Sequence, residues 1–158
     1  MKPVAKPFAS PDRLLAGATF ADSYAITAEG LGLDAVEATK RAMGRTPRWV
    51  SGLMALRSVL VTPFLLKTGR EKSVRSSTRI GFFPVIRQSA DEVVLGMNDR
   101  HLDFRVSVEV RPLGAGRQEI SATTAVKPNN LFGRIYLAIV TPFHRVIVPA
   151  MLSQVLKA

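Results

Sequence analysis

Two stretches of this chain hold residue types suited to proton transfer or ion binding. The first is Asp99-Arg100-His101-Leu102-Asp103, where one of the two histidines sits between aspartates at the mouth of an alternating strand. A carboxylate that orients an imidazole makes it a general base, so His101 with Asp103 is a candidate acid–base pair wherever a nucleophile or acidic proton lies nearby. No metal is expected there. Alternate strand residues project the same way about 6.6–6.8 Å apart, so three in a row converge poorly on one ion, and His144 would have to complete the set from a distant helix. The bland reading is preferred: His101, Asp103 and Arg105 form cross-strand ion pairs and hydrogen bonds on a polar sheet face.

The second stretch is His144-Arg145, with Arg134 on the same last helix. Arg134 and Arg145 are eleven residues apart, about three helical turns, and so project to nearly the same side. Facing a cavity, they would hold a carboxylate or phosphate. Facing solvent or the acidic N-terminal segment, they would be salt bridges, which is the preferred reading. No Gly-rich phosphate loop, Ser-His-Asp wording or metalloprotease helix is present, and no cofactor is implied.

Charge marks a third region. The net charge is +10, and residues 40–80 contribute 10 basic and 1 acidic side chains to it. Such a field attracts an anionic membrane surface, an acidic partner or a phosphate backbone without distinguishing them. Trp49 on an apolar helix that runs into Lys67, Arg70, Lys72, Arg75 and Arg79 fits a membrane-surface element. The alternative, a core helix followed by a solvated loop, is preferred because a small domain needs that helix inside. Phe82, Phe83, Phe104 and Tyr136 read as buried, which argues against nucleic acid.

The elements that must position these residues follow from periodicity. Thr19–Thr27 alternates Phe20, Asp22, Tyr24 and Ile26 against smaller residues, a first strand. Asp34 caps a helix that Gly44 stops. Pro47 opens a second helix, with Trp49, Leu53, Leu56, Leu60 and Phe64 on one side and Ser51, Ala55, Ser58 and Thr62 on another, and residues 67–79 form an exposed loop. Residues 79–88, 92–98, 101–111 and 117–127 read as four antiparallel strands, with a turn at Leu113-Gly114-Ala115-Gly116. On the third strand Leu102, Phe104, Val106, Val108 and Val110 share one face, and His101, Asp103, Arg105, Ser107, Glu109 and Arg111 the other. Asn130 caps a last helix, with Phe132, Ile135, Tyr136, Ile139, Phe143, Val146, Ile147 and Ala150 at helical spacing, bent at Pro142 and Pro149.

The chain has 158 residues, 47% hydrophobic, with Cys 0. That suits a single domain over 1–158, with residues 1–17 as an extended arm. The absence of cysteine removes one prop for a secreted protein, and no apolar run of signal-peptide length opens the chain, so a cytoplasmic protein is expected. Leu53–Leu66 and Leu131–Leu156 are interrupted by charge and proline and are not expected to span a bilayer, which needs about 20 apolar residues.

This order of elements, with the wording "FADSY", "PRWVSGLMALRSVLV", "IGFFPVI", "EVVLGMNDRHLDFRVSV" and "TTAVKPNNLFGRIYLAIVTPFHRVIV", resembles a bacterial family of domains of unknown function grouped with the helix-grip (START-like, SRPBCC) superfamily. The resemblance covers about residues 18–148 and is most specific at Asp99–Phe104 and Pro142–Arg145. It implies an α+β helix-grip fold, a curved antiparallel sheet wrapped around the long C-terminal helix, with a cavity between them for an apolar or amphipathic small molecule; some members of the superfamily are catalysts. The expected pocket walls are Phe104, Val106, Tyr136, Ile139 and Phe143. Arg134, Tyr136 or His144 would fix one end of the ligand.

Overall fold

Four consecutive segments of period two demand a sheet, and the structure, a computed structural model, contains one with seven strands among the described residues. It describes residues 1–8, 10–44, 48–49, 51–52, 78–81, 83–98 and 100–157. The second helix and basic loop expected over 47–66 and 67–79 lie outside the described residues, apart from 48–49, 51–52 and 78–79; so do Asp99 and Phe82.

The elements in chain order are β1 (Val4–Ala5), α1 (Pro11–Leu14), β2 (Phe20–Glu29), α2 (Ala35–Gly44), β3 (Arg79–Ile80), β4 (Phe83–Gln88), β5 (Glu92–Asn98), β6 (Leu102–Gly114), β7 (Arg117–Pro128) and α3 (Leu131–Ser153), which ends in a 3-10 turn, Gln154–Leu156. Spatially the strands run β1-β2-β7-β6-β5-β4-β3, and every neighbouring pair is antiparallel. The fold is therefore α+β, an open antiparallel sheet with a long C-terminal helix. Residues 1–17, expected as an arm, supply the short edge strand β1 and α1.

Local chemistry accounts for the boundaries. Asp34 accepts the Glu37 amide at 2.7 Å and opens α2, and Asn130 accepts the Gly133 amide at 2.9 Å and opens α3, the side-chain capping of otherwise unpaired amides. The two-residue turn between β6 and β7 has φ of +52° at Ala115 and +73° at Gly116, as the twist of a tight hairpin requires. The single strand expected over 79–88 is instead two, because Gly81 at φ +60° reverses the chain between β3 and β4.

One face of the sheet carries the core. Register aligns Ile26 with Ile120, Ile120 with Val110, Ala122 with Val108, and Val108 with Val93. These side chains are buried against Ala35, Ala38 and Ala42 of α2 and against Leu152 and Val155 at the chain's end. The opposite face keeps short polar side chains, with Ser23 and Thr123 sharing a hydrogen bond at 2.8 Å.

α3 runs unbroken through Pro142 and Pro149. By length and composition alone Leu131–Leu156 could cross a membrane; an 18-residue window of it averages a mean hydropathy of 1.6 with 6% buried. The inner side of α3 nonetheless touches the sheet closely. A Cβ on Gly133 would stand 1.9 Å from the His101 carbonyl oxygen, so only glycine permits that approach.

Candidate functional site

α3 crosses the core face of the sheet at the start of β2 and the end of β7, and a groove of about 430 Å³ opens between them. Thr19, Phe20 and Pro128 form its sheet side, and Arg134, Leu137, Ala138 and Thr141 its helix side. The wall is mostly apolar with one cation. Arg134 and Arg145 make no ion pair among the described residues.

Beside this groove lies a polar cluster on the core face. Asp22, Tyr24 and Thr124 share that face because Asp22 is register partner to Thr124 and Tyr24 lies two residues along. His144 of α3 meets them: its Nε2 stands 3.1 Å from Asp22 Oδ1, with both side chains about four-fifths buried, at 20% and 18% exposure. Phe20 packs edge-on against the His144 ring at 5.9 Å. Asp22 Oδ2 and Thr124 Oγ1 are buried with no hydrogen-bond partner among the described residues. Burial raises the Tyr24 hydroxyl pKa above its ordinary value, and the Asp22 charge raises it further against the opposing pull of Arg145.

The structure thus pairs a histidine with a carboxylate, but through His144 and Asp22 rather than His101 and Asp103. His101 Nδ1 lies 3.0 Å from Asn130 Nδ2, its carbonyl accepts the Asn129 amide at 2.8 Å, and its ring packs against Phe132 at 4.4 Å with the planes tilted by 54°. Asp103 accepts from Asn129 Nδ2 at 3.0 Å. Arg105 donates to the Phe104 carbonyl at 2.8 Å. Of the cross-strand ion pairs and hydrogen bonds expected of His101, Asp103 and Arg105, no ion pair forms among the described residues, and the hydrogen bonds of the first two seat the N-terminus of α3. Among the described residues no three metal-ligating side chains converge.

The expected pocket residues are dispersed. Arg134 lines the groove. Phe104 and Val106 are half-buried on the core face, with Phe104 edge-on to Phe83 at 5.4 Å, and Tyr136 is half-buried on α3. Ile139 and Phe143 turn outward, 61% and 50% exposed. Sequence reasoning passed over Asp22 and Thr124. The available signal was the parity of the first strand, which places Asp22 with Phe20, Tyr24 and Ile26 on an apolar face where a charge needs a partner.

The model of a family described as proteins of unknown function, DUF2867, matches residues 14–151. The chain belongs to this family. The DUF2867 match takes in both histidines and the whole groove, while Leu152 and Val155 of the core lie just beyond it. Among solved structures, the chain is similar to a conserved protein from Geobacillus kaustophilus, with 8% identity over 87% of this chain and 93% of that one and a TM-score of 0.46. No curated protein matches.

Proposed function

We propose that this protein binds an apolar or amphipathic small molecule in the groove between the sheet and α3, in a helix-grip arrangement of the START-like kind. The groove itself carries the reading. Its volume, about 430 Å³, falls within the range of roughly 300–1,000 Å³ usual for small-molecule sites. Phe20, Leu137 and Ala138 would cover the ligand's apolar body, and Arg134, unpaired among the described residues, would hold an acidic end. The long last helix lying across an antiparallel sheet supports the helix-grip assignment.

The test begins with native mass spectrometry of freshly purified protein and organic extraction of any adduct. Titration with a long-chain carboxylate and its neutral alcohol then follows. Arg134→Gln should weaken the carboxylate about three- to tenfold and leave the alcohol unchanged, since a partly exposed charge-assisted hydrogen bond contributes about a kcal/mol. Ala138→Trp should fill the groove and weaken both. Binding of both compounds by the Ala138→Trp protein as tightly as by wild type would remove the groove from consideration.

A further inference from the structure

The outer side of α3 is a second apolar surface that the groove does not use. Leu131, Ile135, Ile139, Phe143 and Val146 recur at helical spacing on one side and are 70%, 52%, 61%, 50% and 59% exposed. The row extends for about 22 Å along the helix axis. A helix on the surface of a globular domain ordinarily turns polar residues outward. Here the inner side already supplies Gly133, His144 and Leu152 to the sheet and core, while the outer row stays at least half exposed.

Charge identifies the occupant. Arg145 is exposed at one edge of the apolar row and has no ion-pair partner among the described residues; Arg134, on nearly the same side of α3, is the cation of the groove. The chain as a whole carries a net charge of +10. A second copy would set two such charges against each other across the contact. An anionic bilayer offers an apolar interior to the row and phosphates to Arg145 at its edge.

We propose that the outer face of α3 docks in the plane of an anionic lipid surface. The helix lies on the bilayer rather than crossing it, although its length and composition would permit a span. Crossing would strip Gly133 from His101, His144 from Asp22 and Leu152 from the core.

Co-sedimentation with vesicles of phosphatidylglycerol and phosphatidylcholine, beside vesicles of phosphatidylcholine alone, tests this. Wild-type protein should partition onto the anionic vesicles, and the partition should fall as salt rises. Ile139→Glu should reduce it about tenfold or more while the melting temperature stays within a few degrees. Arg145→Gln should reduce it about fivefold. Three outcomes overturn the proposal. One is partitioning by Ile139→Glu equal to wild type. Another is a concentration-dependent dimer that Ile139→Glu abolishes, with no vesicle binding, which would make a second copy the occupant. The last is a collapse of melting temperature in both Ile139→Glu and the milder Ile139→Ser, which would mean that the chain covers this row itself.

Discussion

The contact between His144 and Asp22 joins residues 122 positions apart, so nothing local in the chain announces it. Its energetics are set by burial. Asp22 sits on the apolar face of β2 with Oδ1 on the imidazole and Oδ2 without a partner among the described residues. Removing the ring leaves a carboxylate with neither oxygen paired in a low-dielectric layer, which costs more than the lost bond alone. His144→Ala should therefore destabilise the protein by about 1–3 kcal/mol. Asp22→Ala added to it should cost less than the sum of the two single changes, since the orphaned charge disappears with it. Urea unfolding of the four proteins measures the coupling; strict additivity would mean that the pair contributes no interaction of its own. His101, by contrast, was conspicuous in sequence because aspartates flank it, and its work is to seat α3 through Asn130, Phe132 and the close approach of Gly133.

At the scale of elements, strands and caps were legible because their determinants are local: alternation along β6, Asp34 before α2, Asn130 before α3, and a positive-φ turn at Ala115-Gly116. The facing of α3 was not legible, because the helix is apolar on nearly every side and periodicity cannot choose between two apolar faces. Ile139 and Phe143 fit the inward pattern yet turn outward. β1 escaped for a different reason, since two residues of edge strand carry no periodicity. Beside its ladder to β2 and the Lys6 amide on the Ser23 carbonyl at 2.7 Å, charge holds β1: Lys6, the residue after it, pairs with Glu119 of β7 across β2, and Arg111 joins at 3.1 Å from the same carboxylate. The hydrogen bond from Lys6 is the largest cause that holds Glu119 below the ordinary value of 4.5; burial opposes it, and the charges of Lys6 and Arg111 and the Arg111 hydrogen bond add to the lowering. A depressed carboxylate stabilises the fold above its unfolded value and loses that contribution as pH falls through the folded one. β1 should thus loosen as pH drops below about 4.5. Amide exchange at Val4–Lys6 should accelerate there ahead of the central strands after correction for intrinsic rates. Glu119→Gln should show fast exchange at Val4–Lys6 already at neutral pH and little further response to acid. A wild-type β1 that stays as protected as β7 down to the global transition would contradict this.

For the whole molecule, the decisive feature is that the chain's last residues close its core. Leu152 and Val155 are 1% and 0% exposed, and they meet α2 and the sheet from the far end of α3. Small alanines on α2, Ala35, Ala38 and Ala42, leave the space these two side chains fill. Truncating a buried Leu to Ala costs about 2–5 kcal/mol, and losing a buried valine as well brings the sum near the roughly 5–15 kcal/mol that holds a domain together. A chain ending at Ala150 should therefore lose its cooperative thermal transition, while removal of Lys157 and Ala158 alone should leave it intact. Leu152→Ala should lie between them, folded but less stable by about 2–5 kcal/mol. The same measurement separates the two sides of α3. Core changes at Leu152 should lower the melting temperature without touching vesicle partition in the folded fraction, whereas Ile139→Glu should do the reverse. If the chain ending at Ala150 melted cooperatively at the wild-type temperature, α3 would be an appendage to the sheet rather than the element that completes its core.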